Sequence, residues 1–235
     1  MQKKKLSQNA TQNDVAAFLR EVAATPVVKP HGQKGRLIFA LDATASREPT
    51  WREACLIQSE MFEQTDSLGG LAVQLCYYRG FHEFETSPWF TESAKLQARM
   101  AQVSCLGGHT QIHRVLKHAL SEAKTKPVNA LVFVGDCLEE PLDSLCHVAG
   151  QLGIRNVPVF LFHEGYDRSA RLGFEQIARL TNGACCTFDA ASAQQLRDLL
   201  AAVAVYAAGG TSALQDFSKA KGEVVRRLTR QLNGT

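Results

Sequence analysis

Five short apolar runs constrain this chain more than any other feature: residues 37–41 (LIFAL), 71–78 (LAVQLCYY), 129–134 (NALVFV), 157–162 (VPVFLF) and 184–188 (ACCTF). Uncharged runs of this length read as strands buried on both faces. The segments between them have helical spacing, so strand and helix alternate along the chain. That alternation predicts right-handed crossovers and a mostly parallel central sheet with helices on both faces. Residues 81–85 (FHEFE) alternate apolar and polar and follow 71–78 after a short return, which predicts one antiparallel edge strand. Helices are expected over 91–103, 111–123, 141–151, 169–180, 192–208 and 214–232. Another is expected from Pro49, carrying Trp51, Cys55, Ile57, Met61 and Phe62 inward. With 235 residues, 45% hydrophobic, the chain fits one globular domain with terminal additions. The expected division is 1–34, a polar tail and a helix from Asn13 (Val15, Phe18, Leu19, Val22); 35–208, the α/β domain; and 209–235, a basic amphipathic helix.

The first strand runs straight into oxygen side chains, Asp42, Thr44 and Ser46. In an extended chain alternate residues share a side, so one carboxylate and two hydroxyls come together. Such hard donors suit magnesium, which takes six oxygens, keeps several waters and needs only one or two protein carboxylates. Two further segments bring similar groups to strand ends or helix starts: Thr110 after the turn Gly107-Gly108-His109, and Asp136 after the strand 129–134. Ligands in open α/β sheets gather at the carboxyl ends of strands, where these segments would converge. The plainer alternative makes Asp42 a helix cap, with Thr44 and Ser46 as turn residues. Glu139 and Glu140 read as a solvated start of the helix that follows them.

The three segments resemble the von Willebrand factor type A (VWA) domain with its metal-ion-dependent adhesion site (MIDAS). The family's Asp-x-Ser-x-Ser is matched by Asp42-Ala43-Thr44-Ala45-Ser46, its Gly-Gly-Thr before a helix by Gly107-Gly108-His109-Thr110, and its strand-ending Thr-Asp-Gly by Gly135-Asp136-Cys137. The resemblance covers roughly residues 36–206. It departs at Thr44, which keeps a hydroxyl, at the inserted His109, and at Gly135 in place of threonine. It implies a Rossmann-like doubly wound α/β fold and a metal set of Asp42, Thr44, Ser46, Thr110 and Asp136 holding Mg²⁺, with Mn²⁺ or Ca²⁺ as substitutes. It also implies a non-enzymatic protein-interaction domain of intracellular bacterial type, whose partner supplies an Asp or Glu ligand. An AAA+ ATPase or another multiprotein assembly is the setting the resemblance suggests.

Other chemistries have weaker support. Cys105, His109, His113, His118 and Cys137 invite zinc, but the glycines at 107 and 108 break a shared helical face. Asp42-Ala43-Thr44 lacks the second aspartate of a phosphatase loop, and no Walker-type or dinucleotide glycine motif occurs. The basic ends, with Lys3, Lys4, Lys5, Lys219, Lys221, Arg226, Arg227 and Arg230, leave open a nucleic-acid-binding protein on the same scaffold, although the net charge is only +3. A metal-free scaffold is the third reading. No apolar leader follows Met1 and the longest uncharged apolar run, 199–208, is too short to span a bilayer, so a cytoplasmic protein without membrane association is expected. Seven scattered cysteines suit reduced thiols, with vicinal Cys185 and Cys186 as the one unusual pair.

Overall fold

The computed structural model describes residues 34–188 and 193–232, together with residue 17. The tail and helix expected before Lys34 otherwise lie outside the described residues. The strands are β1 (Gly35–Asp42), β2 (Leu71–Arg79), β3 (Glu83–Phe90), β4 (Ala130–Gly135), β5 (Val159–Glu164) and β6 (Ala184–Phe188). They form one sheet in the order β3-β2-β1-β4-β5-β6. β1 pairs in parallel with both β2 and β4, and β4, β5 and β6 continue in parallel. β3 alone is antiparallel, on β2 at the edge. This is the doubly wound, mostly parallel architecture expected from the alternation of runs. Strand order reverses between β1 and β4, because the chain builds outward through β2 and β3 before crossing back to β4.

Every residue of β1 is buried, as a strand between two helical layers must be, including Arg36 and Asp42 near its two ends. Its side chains alternate between two cores. Leu37, Phe39 and Leu41 face α1 (Glu48–Ile57), α2 (Ser59–Glu63), α3 (Ser93–Met100) and α7 (Ala193–Leu232). Ile38 and Ala40 face α4 (Ile112–Thr125), α5 (Leu142–Ile154) and α6 (Arg168–Leu180). The single helix expected from Pro49 is divided, with α1 and α2 meeting at Gln58.

Two expectations need correction. β3 extends to Phe90, beyond the expected end at Glu85, and passes through Pro88. An edge strand tolerates the missing donor of a proline. Beside it the Ser87 hydroxyl accepts the Leu75 N–H at 2.9 Å, where the β2–β3 register shifts. The segment 193–232 is two helices meeting at Gly210, whose φ of 79° is outside helical space. The expected stop at the glycine pair is there, but the second helix resumes directly after it. Leu214 is buried and Phe217 packs on the core, so the first turns of this arm lie back on the domain.

Candidate metal centre

Asp42 is the last residue of β1, at the switch between β1 and β4, and is only 4% exposed. Its Oδ1 accepts the Thr44 backbone N–H at 2.7 Å and its Oδ2 accepts the Tyr78 hydroxyl at 3.1 Å. Burial pushes the Asp42 carboxyl above the usual carboxylate range, and the nearby Asp136 charge adds to this, while the hydrogen bonds from Thr44 and Tyr78 oppose it. Burial also holds the Tyr78 phenol protonated, so it donates. Beyond Thr44 the chain does not stay extended: residues Ala45–Arg47 make a 3₁₀ turn. The turn still leaves the Thr44 and Ser46 hydroxyls 3.4 Å apart. The two hydroxyls come together by a tighter path than an extended chain would take.

Thr110 arrives on the loop between α3 and α4. That loop is pinned to the ends of β1 and β2, because Leu106 donates to the Ala43 carbonyl, Gly80 to the Leu106 carbonyl and His109 to the Gly80 carbonyl, at 3.0, 3.2 and 3.3 Å. Gly108 must be small here, since a Cβ on it would stand 1.9 Å from the Gly80 oxygen. Thr110 is buried, and its N–H donates to Glu139 Oε2 at 2.8 Å while its Oγ1 accepts the Glu139 N–H at 3.1 Å. This exchange ties Thr110 to the segment that also carries Asp136. Glu140 accepts the N–H groups of Ile112 and His113, at 2.7 and 2.8 Å. Glu140 therefore serves the start of α4 and Glu139 the loop that leads into it, not the start of the helix that follows them in sequence. Replacing Glu140 with alanine removes a charged cap from a helix N-terminus and should cost about 1–2 kcal/mol. Urea unfolding checks this as a lower midpoint at unchanged slope.

Asp136 follows β4 directly. Its carbonyl accepts from His163 Nε2 at 3.2 Å, and its Oδ2 pairs with Arg47 Nη2 at 3.1 Å. Arg47 also pairs with Glu164, whose carboxylate accepts the Thr50 hydroxyl. Neither Arg47 nor Glu164 was anticipated. Glu164 stands at the carboxyl end of β5, so the strand-end rule that found Asp42 and Asp136 would have found it too. A cleft of about 450 Å³ opens beside these groups, lined by Arg47, Asp136, Cys137, Glu164, Tyr166 and Asp167. Beneath it, Phe133 stacks on Tyr78 and meets Phe174 edge-on, with ring centroids 6.3 and 5.7 Å apart. The Phe133 ring explains Gly135, because a Cβ there would come within 2.8 Å of it.

His109 lies to one side: its Nδ1 is 3.3 Å from Glu139 and its ring packs against Phe81. Among the described residues no three His, Cys, Asp or Glu side chains form a group that could hold a metal, which removes the support for zinc at Cys105, His109 and His113. A magnesium centre does not need such a group. Two carboxylates and three hydroxyls are hard oxygen donors that leave room for water, and they fit the ion's preference. Asp42 spends one oxygen on each of two hydrogen bonds, and each oxygen has a further lone pair.

No protein family's sequence profile matches the chain, and no curated protein does. Solved structures do match in fold. A von Willebrand factor type A protein from Catenulispora acidiphila is 15% identical over 72% of this chain and 42% of its own, with a TM-score of 0.56. The SpRpn10 VWA domain is 14% identical over 72% of this chain and 94% of its own, at 0.55. Proximal thread matrix protein 1 from the mussel byssus, in a structure with a zinc-occupied MIDAS motif, is 18% identical over 73% of this chain and 48% of its own, at 0.55. This chain thus spans about half or less of the first and third. At these identities the likeness shows the fold: a VWA-type, Rossmann-like sheet with one antiparallel edge pair.

Proposed function

We propose that this chain is a non-enzymatic protein-interaction domain that binds an acidic residue of a partner through Mg²⁺ held by Asp42, Thr44, Ser46, Thr110 and Asp136. The observation that carries this reading is that oxygen donors from three distant segments sit on loops tied to one another at the β1/β4 switch point. A bound ion there would supply an open position for a carboxylate. The chain's own part is to hold the donors: Asp42 through Thr44 and Tyr78, Thr110 through Glu139, Asp136 through His163. A site in which hydroxyls outnumber carboxylates leaves the ion short of negative charge, which favours an acidic ligand from outside. The mussel byssus protein, with a zinc-occupied MIDAS motif in a similar fold, supports a divalent ion here. Cys55, Cys76, Cys105, Cys137 and Cys146 are free thiols, which suits a reducing compartment. No helix among the described residues is long and apolar enough to cross a membrane.

Calorimetric titration with Mg²⁺ and Mn²⁺ tests the ion, and capture of partners with and without EDTA tests its role. Saturable metal binding and chelator-sensitive, Asp42-dependent capture are expected. Absence of saturable binding at millimolar metal would leave a metal-free scaffold.

A further inference from the structure

We propose that Arg47 is a built-in cationic competitor at this centre and that Glu164 sets how strongly it competes; the inference rests on the metal reading above. Arg47 follows Ser46 directly on the 3₁₀ turn, so its backbone belongs to the segment that carries three of the five candidate ligands. Its guanidinium reaches across to the opposite side of the centre and bridges two carboxylates. One is Asp136, itself a candidate ligand, at 3.1 Å. The other is Glu164, which no part of the proposed metal set uses.

Burial makes the arrangement consequential. The side chains of Arg47 and Glu164 are 14% and 7% exposed and that of Asp136 is 27% exposed, so solvent screens their charges poorly. A divalent ion drawing on Asp136 meets a guanidinium already drawing on the same carboxylate. Like charges sharing one carboxylate weaken each other's hold. Glu164 acts in the opposite direction, since its carboxylate is ion-paired with the guanidinium and offsets its charge. Thr50 donates to Glu164 and fixes that carboxylate where it can do so. Arg47 therefore lowers metal affinity, and Glu164 restores part of it.

Removing Arg47 alone would leave Glu164 buried with only the Thr50 hydroxyl, which risks the fold. The informative proteins are the double variant Arg47→Met/Glu164→Gln, in which the pair is neutral, and Glu164→Gln alone, in which Arg47 has only Asp136. Mn²⁺ titration followed by electron paramagnetic resonance of the free ion gives affinities directly, with circular dichroism melts confirming that each protein is folded. Relative to wild type, the double variant should bind Mn²⁺ about tenfold more tightly and Glu164→Gln several-fold more weakly, the scale of changes in groups that touch metal ligands. A purely structural role for the bridge would weaken binding in both variants, and that result overturns the inference, as does unchanged affinity in both. If the double variant does not fold, Arg47→Gln/Glu164→Gln takes its place with the same expected tightening, and equal or weaker binding there overturns the inference. If folded wild type and variants all fail to bind Mn²⁺, the metal reading falls and takes this inference with it.

Discussion

Replacing Asp42 with asparagine should lower Mg²⁺ affinity about a hundredfold while leaving the metal-free protein at least as stable as wild type. The geometry permits the exchange. Asparagine has the same shape, its oxygen keeps the Thr44 N–H, and its amide can donate to the Tyr78 hydroxyl once that rotor turns to accept. Loss of a ligand carboxylate accounts for the first effect, since even partners one step removed from a metal are worth about 10–100-fold. The second follows from burial, which raises the Asp42 carboxyl above its ordinary value in the folded protein, with Asp136 adding to the rise. A folded-state pKa above the unfolded one means that the ionised group opposes folding at neutral pH. That penalty is fully present above the folded value and fades as pH falls through it toward the unfolded one. Asparagine never carries it. Thermal melts without metal should thus show the variant's advantage at neutral pH, closing as the pH is lowered. Saturating Mg²⁺ should reverse the order, because a ligand at a hundredfold excess over Kd stabilises the folded state by about 2.7 kcal/mol and the variant forgoes this. An equal Mg²⁺-induced rise in melting temperature in both proteins would remove Asp42 from the metal set.

Phe133→Ala should cost about 3–5 kcal/mol, a substantial part of the stability of a domain this size. Phe133 is fully enclosed between Tyr78 and Phe174, and its ring fills the space that a side chain at position 135 would take. The cavity would open directly under Tyr78, which donates to Asp42, and under the strand end that leads to Asp136. Chemical denaturation gives the magnitude. A loss below about 1 kcal/mol would mean that the neighbours collapse into the space and that this ring does not hold the floor of the centre. Gly135→Ala in the wild-type background should also destabilise, and less so when Phe133 is first replaced by leucine, because the two positions compete for one volume. A double-mutant cycle between them measures that coupling.

Much of the scaffold was legible because the signals are local. The strands β1, β2, β4, β5 and β6 announce themselves by apolar runs, since the middle of a strand covered on both faces is apolar and charges such as Asp42, Arg79 and Glu164 fall at the strand ends. Asp42, Thr44 and Ser46 could be grouped from spacing alone, and the 3₁₀ turn changed the path without separating the two hydroxyls. The full length of β3 is not visible in the sequence, because Pro88 looks like a strand end until the strand is known to lie at an edge. An acidic pair ahead of a helix is a local signal for that helix, whereas the partners of Glu139 and Glu140 are the backbone N–H groups of Thr110, just before α4, and of Ile112 and His113 at its start, 27 to 29 residues earlier.

The sequence by itself determined the alternation of strand and helix, hence the layered α/β class, and nominated five oxygen donors at strand ends and helix starts. Only the tertiary structure decided the strand order that makes β1 and β4 neighbours, and with it the charges that surround those donors. Arg47, Asp136 and Glu164 meet because β1, β4 and β5 end at one edge of the sheet, and Thr50 reaches Glu164 across 114 residues of chain. Such contacts have no period and no spacing. They follow from which strands lie side by side, a choice made by the packing of two helical layers on the sheet.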